Sequence, residues 1–205
     1  MFPIKRGKRK KRSELKVLLM LIILKLKGSI GRYRLKEMLD LSEQEGLVRL
    51  MLIDLKREDL IKTSKTGCEL TPRGEEFLGD FLKKYGIVDI KEMNLEPLKI
   101  GPETFVLQIR GYSIPESITR LRDAAVRAGA SGAVLITYEQ GLLKVPTVYP
   151  SLENEHPKLA ADLRETLNLS DGDVLMACFS RDKWRALEGG LSATMFLAKG
   201  LIPIK

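Results

Sequence analysis

Apolar residues recur along the first 86 positions in four helical segments separated by polar turns and one short ribbon. Val17 to Leu24 is apolar at every position and, with Ser13 as cap and Gly28 at its end, predicts a first helix. After a Gly-containing break at Ser29 to Arg32, the spacing of Leu35, Met38, Leu39 and Leu41 predicts a short second helix, interrupted at Asp40 to Ser42. Ser42 followed by Glu45 fits a capping box, which starts a third helix near Glu43. Val48, Met51, Leu52 and Leu55 form its apolar stripe, leaving Glu45, Arg49 and Lys56 on the other side. An extended run to Thr63, a turn over Ser64 to Gly67 with Lys65 at its tip, and a return over Cys68 to Thr71 predict a two-stranded ribbon. Thr71 with Pro72 opens a fourth helix striped by Phe77, Leu78, Phe81 and Leu82.

The pattern changes after Tyr85-Gly86. Ile87 to Pro102 is a Pro- and Gly-punctuated connector with room for one short strand. Glu103 to Arg110 alternates as a strand does, and Ser113 with Glu116 suggests a capping box for a helix running to Ala128. Ala133 to Tyr138 and Leu142 to Val145 flank Glu139-Gln140-Gly141, a hairpin signal. A helix opened by Pro157, a turn at Asp171-Gly172, a strand over Asp173 to Phe179 and a long helix over Arg181 to Ala198 complete the order. A central hairpin argues for a mainly antiparallel sheet, so the expected class is α+β, with the second domain a two-layer α/β sandwich carrying its helices on one face. The expected domains are a disordered basic arm over 1–12, a helix-turn-helix domain with its ribbon over 13–86, the connector over 87–102 and the α+β domain over 103–205.

Helix, turn, helix and ribbon is the grammar of a winged-helix module. The runs Leu41-Ser42-Glu43, Gly46-Leu47-Val48-Arg49, Leu60-Ile61-Lys62 and Gly67-Cys68-Glu69-Leu70-Thr71, with Gly74, resemble archaeal winged-helix transcription regulators. The second half fits two patterns. One is the ferredoxin-like unit that senses amino acids in small regulators of this kind. The other is the small insertion domain of some tRNA-charging enzymes, and the whole layout resembles an uncharacterised archaeal family joining a winged helix to that second type. The resemblance implies a cytoplasmic, DNA-binding regulator acting on double-stranded DNA, with a C-terminal domain for sensing a small-molecule effector or for oligomerisation. It implies no catalysis and no cofactor.

Charge sharpens this expectation. The 205 residues carry 35 Lys plus Arg against 27 Asp plus Glu, a net +8. Residues 1–86 hold 21 basic and 12 acidic side chains, against 14 and 15 in the remainder. Seven of those basic residues, Lys5, Arg6, Lys8, Arg9, Lys10, Lys11 and Arg12, lie on the arm. Such an arm neutralises phosphates and gains affinity by counterion release without reading sequence; the plainer alternative is a solvated tail. Arg49 and Lys56 are the expected major-groove residues, Lys65 a contact to a neighbouring phosphate or the minor-groove edge, and Lys8 to Arg12 contacts to the backbone. The apolar run of the first helix is far below the roughly 20 residues of a membrane span, and Lys25 and Lys27 follow it at once. Because that helix is apolar all round, part of it is expected to bury against a second subunit in a homodimer, with the final helix the next candidate.

Candidate chemistry is sparse. Ala128 to Ala133 is Gly-rich but runs from helix to strand, the reverse of a phosphate loop. Phe179-Ser180-Arg181-Asp182 has the right order, so Ser180 and Arg181 are the candidate ligand-binding pair for a small acidic metabolite, against the simpler reading of Ser180 as a helix cap. That metabolite, as substrate or ligand, is the alternative function; association with RNA is another. His156 stands alone before Pro157 and is best read as a surface cap, and Cys68 and Cys178 match no metal spacing.

Overall fold

A computed structural model describes residues 10–98, 100–112 and 117–200, and the side chains of 14–198 within these spans. The chain divides into two compact units, residues 1–81 and 82–205. The fold is α+β.

The first unit runs α1 (Lys10–Lys27), α2 (Arg32–Met38), α3 (Glu45–Arg57), β1 (Ile61–Ser64), β2 (Gly67–Leu70) and the start of α4 (Pro72–Lys84). Helix α1 begins three residues before Ser13, so Lys10, Lys11 and Arg12 form its first turn instead of lying on an extended arm. It stops where Gly28 turns to φ +73°, its N–H bonding to Leu24 O at 2.9 Å. Val17 to Leu24 are all buried, none more than 3% exposed. The run from Val17 to Leu24 is thus covered within one chain, so its apolarity by itself does not call for the expected second subunit to bury it. Strands β1 and β2 pair antiparallel with Ser64 opposite Gly67, leaving Lys65-Thr66 as a two-residue turn. An isolated bridge from Ile30 to Cys68 adds a third strand position beside β2. Thr71 caps α4 as expected: its hydroxyl donates to Asp59 O and accepts from Gly74 N at 3.0 Å.

The second unit runs β3 (Ile87–Glu92), β4 (Glu103–Ile109), α5 (Ile118–Arg127), β5 (Gly132–Glu139), β6 (Leu142–Lys144), α6 (Leu152–Glu155), α7 (Pro157–Thr166), β7 (Asp173–Ser180) and α8 (Lys183–Gly200). The sheet order is β3-β4-β7-β5-β6, antiparallel throughout. The expected connector thus contributes an edge strand to the sheet. The expected capping box at Ser113 to Glu116 lies outside the described residues. Gln140 and Gly141, at φ +52° and +77°, turn β5 into β6 as the hairpin signal indicated.

Two expectations fail here. A ferredoxin-like sheet sets its first strand between the third and fourth, whereas β7, the last strand, lies between β4 and β5. Helices also cover both faces rather than one. Alternate residues of a strand point to opposite sides. Val106, Ile136, Leu175, Ala177 and Phe179 pack with Leu159, Ala160 and Leu163 of α7. The opposite set meets α8, where Phe105 stacks on Trp184 and the Gly190 Cα lies against Leu107. Every residue of β7 is accordingly buried, and a strand covered on both faces cannot show the polar alternation from which a two-layer arrangement is inferred. The glycines of α8 are sites of close packing: a Cβ on Gly189 would stand 2.6 Å from Ala130 Cβ and 3.2 Å from Ala125 O. Of the described apolar residues of α8, Phe196 alone is exposed.

Candidate nucleic-acid interface

Helix α3 follows directly from its sequence. Val48, Met51, Leu52 and Leu55 are buried and hold it to the unit. Arg49 and Lys56 are exposed, seven residues apart on one side. The start of the helix differs from expectation. Its first residue is Glu45, the cap position is Gln44, and no side chain caps it. Glu45 instead reaches α2, where it pairs with Arg32 at 3.1 Å and Lys36 at 3.9 Å. Two cations within reach hold a carboxylate more strongly than one backbone N–H, and the pairs tie α2 to α3 across their turn. They also offset the negative charge of Glu45 at the start of the exposed face.

The candidate residues do not all stay free. Arg49 has no ion pair or hydrogen bond among the described residues. Lys56 leans across to the ribbon and donates to Thr63 Oγ1 at 3.2 Å. Nearby, burial pushes the Cys68 thiol above its ordinary value while the Lys56 charge pulls the other way. Lys65 sits exposed on the two-residue turn, which Ser64 and Thr66 brace by a 2.7 Å hydroxyl contact, with Ser29 adding a second at 3.0 Å. Lys8 and Arg9 lie outside the described residues, as do the side chains of Lys10, Lys11 and Arg12.

Sequence reasoning passed over four residues of this surface. Leu50 and Ile53 are 60% and 50% exposed. Both fall off the Val48, Met51, Leu52, Leu55 stripe, so helical spacing already marked them as outward. Arg57 is exposed but paired with Asp54 at 3.0 Å and Glu58 at 3.9 Å. Tyr33 on α2 is exposed, with Arg32 and Lys36 over its ring at 5.1 and 5.6 Å; an aromatic followed by basic residues at helical spacing is the signal that pointed there.

The expected ligand pair in the second unit is corrected. Ser180 is the last residue of β7, buried, its hydroxyl directed at Gly129 O. The cap of α8 is Asp182, whose Oδ1 accepts from Trp184 N at 2.9 Å and Arg185 N at 3.0 Å. That carboxylate takes the N–H groups an incoming anion would need and repels the anion as well. Arg181 is left exposed beside it. His156 stands at the cap position of α7 but makes no side-chain cap bond; it meets the Tyr149 ring edge-on at 4.9 Å. Asp171 and Gly172 form the expected turn, with Asp171 accepting from Gln140 N. Among the described residues no cluster of three metal-ligating side chains occurs.

Residues 100–197 match a family model described as a domain of unknown function (DUF4443). No curated protein matches the sequence. Among solved structures, the chain is similar to hypothetical protein PH0730 from Pyrococcus horikoshii OT3, at 24% identity and a TM-score of 0.70, covering 90% of this chain and 93% of that one. At that identity the likeness is one of fold.

Proposed function

We propose that the chain is a DNA-binding transcription regulator whose first unit is a winged helix. In this reading α3 enters the major groove, the β1-β2 hairpin is the wing, and the basic residues from Lys8 to Arg12 contact the sugar-phosphate backbone. One observation carries it: the outward face of α3 is open, with Gly46, Arg49, Leu50 and Ile53 exposed and Arg49 unpaired among the described residues. Arg49 is the base-edge candidate, since a guanidinium can donate two bonds to guanine. Lys65 on the wing tip takes a phosphate, and Lys56, half committed to Thr63, contributes charge more than recognition.

The second unit serves regulation, as a sensing or oligomerisation domain. No ligand is assigned to it, because Asp182 fills the helix start where one was expected. No described helix is long and apolar enough to cross a membrane, and a regulator of this kind works in the cytoplasm.

Equilibrium binding of the full chain to a mixed-sequence duplex, to its separate strands and to tRNA tests the reading. Duplex binding is expected to be tightest, with log K falling linearly against log salt between about 50 and about 200 mM. Preference for tRNA or single strands would overturn it in favour of the RNA-associated alternative.

A further inference from the structure

Leu50 and Ile53 lie three residues apart on α3, about 60° from one another around the helix and opposite the buried stripe. Two large apolar side chains, 60% and 50% exposed, stand side by side where the chain itself covers neither. One turn before Leu50, Gly46 has no atom within 4 Å of where its Cβ would be, and its backbone is not in a glycine-only conformation. Nothing in the chain requires a bare position there, and it leaves the backbone open to close approach by another surface.

The surroundings decide what that surface is. Arg49 and Lys56 run along one side of the ridge, and the acidic neighbours are matched by cations: Glu45 by Arg32 and Lys36, Asp54 and Glu58 by Arg57. An apolar ridge with a cationic rim fits a polyanion that displays small apolar groups. Duplex DNA does so at one place, the thymine C5-methyl in the major groove.

We infer that Leu50 and Ile53 read thymine methyl groups, so that the preferred sites of this protein carry thymines under α3. The inference rests on the reading of α3 as the groove-entering helix.

The test starts by selecting duplexes bound by the full chain from a randomised library, which is expected to enrich two or more thymines in the core of the site. Each is then replaced by deoxyuridine, which deletes the methyl and keeps every hydrogen bond. Binding is expected to weaken about fourfold per methyl that is read, the equilibrium ratio for one buried methyl-sized group. In Leu50→Ala and Ile53→Ala proteins, whose substitutions lie on the surface, the thymine and deoxyuridine duplexes are expected to bind alike, the coupling a double-mutant cycle isolates. Duplex binding that is indifferent to the methyl in the wild-type chain overturns the inference and leaves the DNA reading standing. Equal loss on both duplexes in the variants overturns it too, and assigns the ridge to another partner. Failure to bind any duplex removes the reading and the inference together.

Discussion

Asp173, fully buried at the start of β7, takes Arg110, the residue after β4, in a two-point pair, Nε to Oδ1 at 2.7 Å and Nη2 to Oδ2 at 2.8 Å. Gln108 Nε2 at 2.6 Å and Ser170 N at 2.8 Å complete its shell. The pair joins two neighbouring strands and the loop before β7 at one point. Burial pushes the carboxyl upward, but the Arg110 guanidinium, the Ser170 N–H and the Gln108 amide outweigh it and hold Asp173 below the ordinary aspartate range.

A lowered folded-state pKa adds stability that is complete above the unfolded value near 3.9 and is lost as pH falls through the folded value. Asp173→Asn is therefore expected to cost the second unit about 2–3 kcal/mol at neutral pH. The difference from wild type should shrink in strong acid. Urea unfolding of both proteins, followed from pH 7 downwards by the fluorescence of Trp184, checks it; a gap that does not change with pH would mean the pair is a packing contact and not an ionic one.

Two glycines in helices should respond in opposite senses. Gly46→Ala, in open space, is expected to stabilise the first unit by about 0.5 kcal/mol through helix propensity. Gly189→Ala, driven into Ala130 and Ala125, is expected to destabilise the second by about 1–3 kcal/mol. Trp184, the single tryptophan, follows the second unit, so its transition should move for Gly189→Ala and stay for Gly46→Ala. A more stable Gly189→Ala protein would contradict the seating of α8 on α5.

Arg49→Ala is expected to weaken binding to a selected duplex by roughly 1 to 3 kcal/mol if the guanidinium reads a base. Stability should change by less than about 0.5 kcal/mol, since the side chain is exposed and unpaired among the described residues. Uniform weakening on all sequences would make Arg49 a phosphate contact. Unchanged binding would take α3 out of the interface.

With α1 starting at Lys10, the segment to remove in testing the basic arm is residues 1–9, which hold Lys5, Arg6, Lys8 and Arg9. The truncated chain should keep its thermal transition and bind DNA with a shallower salt dependence, the slope falling by about 0.9 for each phosphate that the arm no longer neutralises. An unaltered slope would assign those residues to solvation.

Leu19→Lys distinguishes a core helix from a subunit interface. At 0% exposure, Leu19 has no water to offer an ammonium group. The expected result is loss of the folded first unit, seen by circular dichroism. A soluble, folded monomer from a dimeric parent would restore α1 as an interface helix.

The local elements were legible because local chemistry specifies them: the α3 stripe, the Thr71-Pro72 start of α4 and the Gln140-Gly141 turn all stand where spacing put them. What was not legible depends on partners distant in sequence. Ser42 and Glu45 have capping-box spacing, yet Arg32 and Lys36 take the glutamate. Ser180 and Asp182 both sit near the start of α8, and the backbone path after β7 gives the cap to the aspartate. The apolarity of β7 was plain, but not that it lies between β4 and β5 with a helix layer on each side. For the candidate interface, helical angle alone marked Arg49, Leu50 and Ile53 as outward; that nothing else in the chain covers the two apolar side chains took the structure to see.

The central position of β7 bears on how the second unit is made. Synthesis completes β4 at Ile109 and β5 at Glu139 well before β7 ends at Ser180, and the register of β7 with them spans Ile109 to Glu103 on one side and Gly132 to Tyr138 on the other. Until then neither strand has its β7 partner, and each would present an unpaired edge if it formed. A chain cut short before Ser180 thus lacks the middle of its sheet rather than its rim, which exposes two strand edges to pairing with other chains. Because β4 and β5 meet only through β7, this sheet cannot close before residue 180 is made.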